Sequence, residues 1–389
     1  MRICLVYDSL QPYRIGGAER WYFALAERLG EAGHTVTYLT MRQWPPGEAG
    51  VHPAARVVAV GPNLANYTAD GRRTLLPPIL FGLGVFAHLL RHGRRYDIVH
   101  TCSFPYFSLL AAALARPFGG YRIVVDWFEF WSRAYWDRYL GPLGWIGWQV
   151  QRLCLKVRQR AFTLARLTAE RIRAQGVNGP VEALTGGYSG DLTAHPPQPP
   201  EPLVLFAARL IPEKRLPLAL RAFALARREA PELRAAIFGR GPGWDEGLAT
   251  IAELGLEDAV HMADFVARPV LDAAMARAAC LLHPSEREGY GMVVVEAASF
   301  GTPSVLAAGE DNAATELVEE GVNGFVAPAS SPECLAEAIL KAYRAGEPLR
   351  RSTAAWFARN AQRLSIESSM ARVIACYREE VAPGAGKAR

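Results

Sequence analysis

A chain of 389 residues is too long for one ordinary core and suits two domains of roughly 200 residues each. Half of its residues are apolar and 21% are charged, the composition of a folded soluble protein and not of a disordered one. The net charge of +5 hides an asymmetry: residues 1–190 hold 22 Lys and Arg against 12 Asp and Glu, and the remainder 21 against 26. An excess confined to one half favours an anionic membrane surface, a polyanion or an anionic acceptor, unless it is simply a solvated basic face. Nucleic acid is not among the expected partners.

In chain order, residues 2–7 read as a strand at once, without the basic and apolar regions of an export signal. The expected location is therefore cytoplasmic, with peripheral contact at the inner membrane face through the basic half. A helix from about Ala18 carries Trp21, Leu25 and Leu29 on one side and ends at Gly33. Strands follow at 35–40 and 57–60. The apolar run 75–90 contains Pro77, Pro78 and His88 and is shorter than the roughly 20 residues that cross a bilayer, so it reads as a packed helix. Further strands are expected at 97–101 and 121–125. Gly186-Gly187-Tyr188-Ser189-Gly190 and the proline-rich stretch from His195 to Pro200 cannot continue a helix or a central strand. They divide a first domain, 1–188, from a linker at 189–202 and a second domain at 203–360. That second domain alternates strands at 203–210, 233–239, 260–266, 280–285, 303–308 and 324–327 with helices, the pattern of a parallel sheet covered on both faces. Residues 361–381 form a helix whose stripe of Met370, Val373, Ile374 and Tyr377 packs back toward the first domain, and 383–389 read as a frayed end. The six cysteines are far apart and read as reduced, buried thiols.

Three constellations carry chemistry. In His283-Pro284-Ser285-Glu286-Arg287-Glu288-Gly289-Tyr290-Gly291-Met292-Val293, a strand runs into a glycine-bearing loop and a helix opens near Met292. Its first amides are free to face an anion, and Gly289 and Gly291 keep the approach open. Glu288 and Glu296 place one carboxylate in the loop and one in the helix, suited to a hydroxyl-rich ligand such as a sugar or ribose. Arg209 stands at the carboxyl end of the second domain's first strand, where open parallel sheets bind ligands, and Lys214 follows in the loop. Two cations there can neutralise a departing diphosphate. Gly16-Gly17 turns the chain tightly before the first helix, but GxGxxG is absent, which argues against a dehydrogenase.

Gly16-Gly17-Ala18-Glu19, Gly33-His34-Thr35-Val36, Arg209 with Lys214, Gly239 with Gly241, Glu288 with Glu296 and Asn323-Gly324 follow one another in this order. Together they resemble family 4 of the retaining glycosyltransferases, over nearly the whole chain and most specifically over residues 203–340. The resemblance implies the α/β GT-B fold, two Rossmann-like doubly wound domains facing a cleft. It implies a transferase that moves a sugar, with retention, from a nucleotide-diphosphate donor to the hydroxyl of a glycan, glycolipid or small-molecule acceptor. Arg209 and Lys214 would bind the diphosphate and stabilise its departure, Glu296 would hold the ribose and Glu288 the transferred sugar. The backbone of Gly289, Tyr290, Gly291, Met292 and Val293 would take the phosphate and sugar. Gly239 would line the donor site, Val266 would meet the base through its main chain, and Gly16 and Gly17 would close the phosphate site from the first domain. The nucleotide sugar is a co-substrate, and neither a cofactor nor a metal is expected.

One departure concerns the acceptor side. The family often has a histidine just after the strand that here reads Ile123-Val124-Val125, and Phe128 stands in its place. Glu129 or Asp126 is then the candidate to orient or deprotonate the acceptor hydroxyl. Trp127, Phe128, Trp131 and Tyr135 begin an aromatic, basic stretch that reads as a sugar-stacking acceptor wall, a lipid-facing patch or the core side of a helix. Two other readings stay open: a sugar-nucleotide epimerase or hydrolase of the same fold, and a nucleotide-sugar-binding protein without turnover.

Overall fold

The computed structural model describes residues 1–14, 16–64, 74 and 76–381. Ile15 of the predicted glycine turn, residue 75 of the apolar run and the predicted frayed end at 383–389 lie outside the described residues. The elements run β1 (Arg2–Val6), α1 (Gly17–Glu31), β2 (Thr35–Met41), β3 (Arg56–Gly61), α2 (Leu76–His92), β4 (Ile98–Cys102), α3 (Tyr106–Gly119) and β5 (Arg122–Trp127). There follow α4 (Arg133–Leu140), α5 (Gly144–Lys156), β6 (Arg160–Thr163), α6 (Arg166–Ala174) and β7 (Val181–Ala183). Next come β8 (Leu203–Ala207), α7 (Leu216–Glu229), β9 (Arg234–Phe238), α8 (Trp244–Leu254), β10 (Val260–Ala263), α9 (Arg268–Arg277) and β11 (Cys280–His283). The chain ends with β12 (Arg287–Glu288), α10 (Met292–Ser299), β13 (Ser304–Ala307), β14 (Asp311–Asn312), β15 (Gly324–Ala327), α11 (Pro332–Leu364) and α12 (Ile366–Val381).

Two compact units result, the second running Tyr188–Ser365 and the first taking the described residues up to Gly187 together with α12. In the first unit seven strands pair in parallel in the order β3-β2-β1-β4-β5-β6-β7, the doubly wound arrangement. Its central strands β1 and β4 are buried on both faces because helices cover both. On one face α2, α3, α4 and α5 pack over Val6, Leu39, Val99 and Val125. On the other, Trp21, Leu25 and Leu29 of α1 share a core with Met370, Val373 and Tyr377 of α12. The helix expected over 361–381 is divided at Ser365: residues up to Leu364 finish α11, and Ile366 opens α12. The sequence reading did not anticipate β6 and β7, which are four and three residues long and close the edge of the sheet.

The second unit repeats the plan with six parallel strands in the order β10-β9-β8-β11-β13-β15. Its core is built from β8, β9 and β11 with Leu216, Leu220 and Phe223 of α7 and Leu335 and Ile339 of α11. Asn323-Gly324 proves to be a structural turn: the buried Asn323 side chain accepts from Glu319 N at 2.7 Å and donates to Leu317 O at 2.8 Å. Gly324, at φ 155°, admits the Ser304 carbonyl where a Cβ would collide. None of the six cysteines is in a disulfide, and burial pushes the Cys280 thiol up to about 12. Among the described residues no helix is long and apolar enough to cross a membrane.

Candidate functional site

In a doubly wound sheet, ligands bind beyond the carboxyl ends of the strands where strand order reverses. In the second unit that point lies between β8 and β11, which pair directly. The loops after β8, β9 and β11 carry the predicted residues. Gly239 follows β9 at φ 153°, and a Cβ there would collide with the carbonyl oxygen of Ala208; Gly241 does the same for Leu210. The two glycines let the β9 loop lie against the β8 loop, stitched by Ala208 N to Phe238 O at 3.1 Å, Leu210 N to Arg240 O at 3.0 Å and Gly243 N to Leu210 O at 2.8 Å. This ladder brackets Arg209, whose exposed guanidinium has no partner among the described residues.

Lys214 ends a short 3₁₀ turn, Pro212–Lys214, and Arg215 behind it takes a left-handed backbone at φ 53°, a costly geometry for a side chain with a Cβ. The turn docks on the loop after β11 through three crossed ion pairs: Glu213 with Arg287 at 3.4 Å, Lys214 with Glu288, and Arg215 with Glu286 at 3.2 Å. Glu286 N also donates to Glu213 O at 2.9 Å. The sequence reading gave His283 and Ser285 no part in the site. His283 Nε2 lies 2.7 Å from Glu288 Oε1, and Ser285 Oγ lies 3.1 Å from the same nitrogen. Burial works against ionisation of Glu288, but Lys214 and His283 outweigh it and hold the carboxyl well below the usual carboxylate range. Asn312 clamps the loop, donating to Ser285 O at 3.1 Å and Ala307 O at 3.0 Å, while β12 pairs Glu288 with Asn312.

Gly289 and Tyr290 lead into α10, which Gly291 caps at φ 91°, with Ala314 Cβ only 2.6 Å from where a Cβ would stand. Met292 and Val293 open the helix, so their amides lack intrahelical acceptors. Glu296 lies further along α10 and meets Arg268 Nη1 at 2.9 Å, a partner the sequence reading missed. Val266 is in the loop between β10 and α9, two residues before Arg268. Arg209, Lys214, Gly239, Val266, residues 288–293 and Glu296 thus all lie in the second unit. Among the described residues no cluster of His, Cys, Asp and Glu has the makings of a metal site.

The other predicted residues belong to the first unit. Gly16 and Gly17 stand at the start of α1, as the N-cap and first helical residue. Asp126 corrects an expectation. At 1% exposure it cannot reach an acceptor. It accepts from Trp21 Nε1 at 2.8 Å and pairs with His100 Nε2 at 3.0 Å, and His100 in turn meets the Tyr377 hydroxyl of α12. Burial, with the Asp126 charge behind it, pushes the Tyr377 phenol well up, so it remains a neutral hydroxyl. Glu129 is half-buried and accepts from Trp131 Nε1 at 2.7 Å. Phe128 packs edge-on against Trp21 and Tyr22 at 6.0 and 6.4 Å. Trp127, Trp131 and Tyr135 are buried and do not form an acceptor wall: Trp127 donates to Gln159 Oε1 at 2.8 Å, and Trp131 packs edge-on against Tyr135 and tilted against Trp136 in a core cluster.

Residues 15–191 match the family model described as Glycosyltransferase Family 4, and residues 192–361 the model described as Glycosyl transferases group 1. A D-inositol 3-phosphate glycosyltransferase of Streptomyces griseus is 34% identical over 160 residues, covering 39% of this chain and 34% of that protein. The chain thus spans about a third of the length of that curated relative. Among solved structures, sucrose-phosphate synthase from Thermosynechococcus elongatus superposes with a TM-score of 0.75 at 17% identity, covering 97% of this chain and 98% of the other. Anabaena HepE, solved with UDP and glucose, gives a TM-score of 0.70 at 20% identity over 97% and 99% of the two chains. Both likenesses are likenesses of fold, and both proteins have the two-unit plan described above.

Proposed function

This chain belongs to glycosyltransferase family 4, with the GT-B fold, and we propose that it moves a sugar from a nucleotide-diphosphate donor to an acceptor hydroxyl with retention at the anomeric carbon. One observation carries the reading: at the switch point of the second unit, Lys214 pairs with a carboxylate, Glu288, that is held ionised, while Arg209 at the end of β8 is exposed. As the bond between the anomeric carbon and the diphosphate oxygen breaks, charge grows on the leaving phosphate, and the two cations stabilise it in place of a divalent ion. The amides of Met292 and Val293 add the positive end of α10. Glu288, being ionised, accepts hydrogen bonds from hydroxyls of the transferred sugar, and Glu296, steadied by Arg268, accepts from the ribose. Val266 would meet the base through its main chain. Glu129, with Asp126 removed by its burial, is the carboxylate left to orient the acceptor hydroxyl of a glycan, glycolipid or small molecule. The cytoplasm is the expected compartment, in keeping with six cysteines outside any disulfide.

Uridine nucleotides are the first probes, because the HepE neighbour was solved with UDP and glucose. Arg209→Ala and Lys214→Ala should each lower the release of nucleoside diphosphate from the accepted donor by about 10²–10³-fold. Near-normal rates in both variants would remove the assignment of the diphosphate site.

A further inference from the structure

The helical layer formed by α2, α3 and α5 covers one face of the first unit's sheet, and its outer side is apolar. Helix α2 buries Phe81, Val85 and Leu89 against the sheet, yet Leu76, Ile79, Leu83 and Leu90 are exposed on its other side. Their spacings of three, seven and fourteen residues from Leu76 put them on a single stripe. The only polar side chains of this helix are His88, Arg91 and His92, all in its last turns. A helix that is apolar all round belongs inside an apolar medium, but here half of it faces out. Leu83 is 61% exposed. Two neighbours extend the surface: Leu114, 67% exposed, and Phe118 on α3, then Trp145, 53% exposed, with Ile146 and Leu153 on α5. Arg94 Nε donates to Phe118 O at 3.2 Å, tying the turn after α2 to the end of α3, and Arg116 Nη1 donates to Arg158 O, just past α5, at 3.0 Å, so the exposed side chains stand on adjoining elements.

Charge identifies what covers it. Cations are interleaved with the apolar side chains: Arg91 on α2, Arg94 and Arg95 in the turn after it, Arg116 on α3, and Arg152 and Lys156 on α5. None of them is in an ion pair among the described residues, and these four segments contain no Asp or Glu. A second copy of the chain docking here about a two-fold axis would set this cationic surface against itself with no carboxylate to pair it. We propose instead that this face docks on an anionic lipid bilayer: the leucines, Phe118 and Trp145 enter the interface, while the arginines and Lys156 meet the headgroup phosphates. Tryptophan is the side chain most at home at that depth, and the unpaired cations supply the second of the two signals that stable peripheral binding requires. The proposal rests on this surface alone and is independent of the transferase reading.

The test is co-sedimentation of the full chain with phosphatidylglycerol vesicles and with phosphatidylcholine vesicles, at low and high salt. Binding to the anionic vesicles alone, weakened by salt, is the expected result. Ile79→Ser combined with Leu83→Ser should weaken it by about tenfold or more, with the melting temperature unchanged because both side chains are exposed. Should that variant fold poorly, Trp145→Ser on a different helix makes the same prediction. Arg95→Gln with Lys156→Gln should weaken binding and flatten its salt dependence. Nucleoside diphosphate binding, measured on the same samples, should be untouched by all of them. No sedimentation with anionic vesicles at low salt overturns the proposal. So does binding that all three variants retain, or a dimer in gel filtration that the α2 variant splits while vesicle binding stays the same.

Discussion

Replacing Lys214 by alanine removes the cation that neutralises Glu288 and leaves the carboxylate behind. The two side chains are 14% and 15% exposed, so the pair is largely taken out of water. Breaking a fully buried pair from one side costs about 3–5 kcal/mol, because a charge is left uncompensated. Here the remaining exposure and His283 Nε2 at 2.7 Å offset part of that, leaving about 2 kcal/mol. For a unit of this size such a loss lowers the melting temperature by about 4–8 °C. Adding Glu288→Gln removes the stranded charge, so the double variant should recover most of the stability. Turnover should not recover, since the diphosphate has still lost its cation. Thermal melts and diphosphate release, measured on the two single variants and the double one, form a cycle that separates the roles. Additive stabilities, with Lys214→Ala melting like the parent, would refute the coupling.

The held-down carboxyl of Glu288 fixes a sign with pH: its stabilising contribution is complete above the usual glutamate range and drains away as pH falls below about 4.3 toward its lower native value. The melting-temperature gap between the parent and Glu288→Gln should therefore narrow on acidification, and a gap that widens contradicts the geometry. Gly239→Ala drives a Cβ into the Ala208 carbonyl at a left-handed φ, and should cost about 1–3 kcal/mol and displace Arg209, lowering diphosphate affinity. Gly16→Ala meets only the flexible end of Glu19 in an extended backbone and should melt within about 0.5 kcal/mol of the parent. If calorimetry finds the two alanine variants alike, the close-approach argument fails. Asp126→Asn should destabilise by about 2–3 kcal/mol and leave donor affinity intact, whereas Glu129→Gln should fold normally and lose transfer to acceptor. Full turnover by Glu129→Gln would leave Phe128 without a substitute carboxylate.

The alternation of apolar runs with amphipathic helices made the doubly wound plan readable, because buried parallel strands such as β8, β11 and β13 stand out as short, mostly apolar segments. The residues proposed for the donor side stand out for a related reason. Arg209, Gly239, Glu288, Gly291 and Glu296 each belong to a short strand-to-loop or loop-to-helix signal whose residues are neighbours in sequence. What stayed hidden depends on contacts between distant segments. The partners Lys214 and Glu288 are 74 residues apart, Arg268 and Glu296 28, and nothing local marks the charges of 213–215 as complementary to those of 286–288. His283 looked like the end of a strand because its partner enters from the loop beyond. Asp126 was a candidate acceptor carboxylate at the end of β5; its partner His100 is held in turn by Tyr377 of α12, more than two hundred residues later. The tryptophan-rich stretch left three readings open because composition does not tell which rings face the core: Trp127, Trp131 and Trp136 turn inward, and Trp145 is strongly exposed.

Binding of nucleoside diphosphates reports on the donor site without knowledge of the acceptor. Calorimetric titration of the full chain with UDP, GDP, ADP and CDP should find at least one that binds, and Arg209→Ala and Lys214→Ala should each weaken that binding by about tenfold or more. If none of the four binds, or the one that does is indifferent to both substitutions, the donor site described at the switch point of the second unit is wrong.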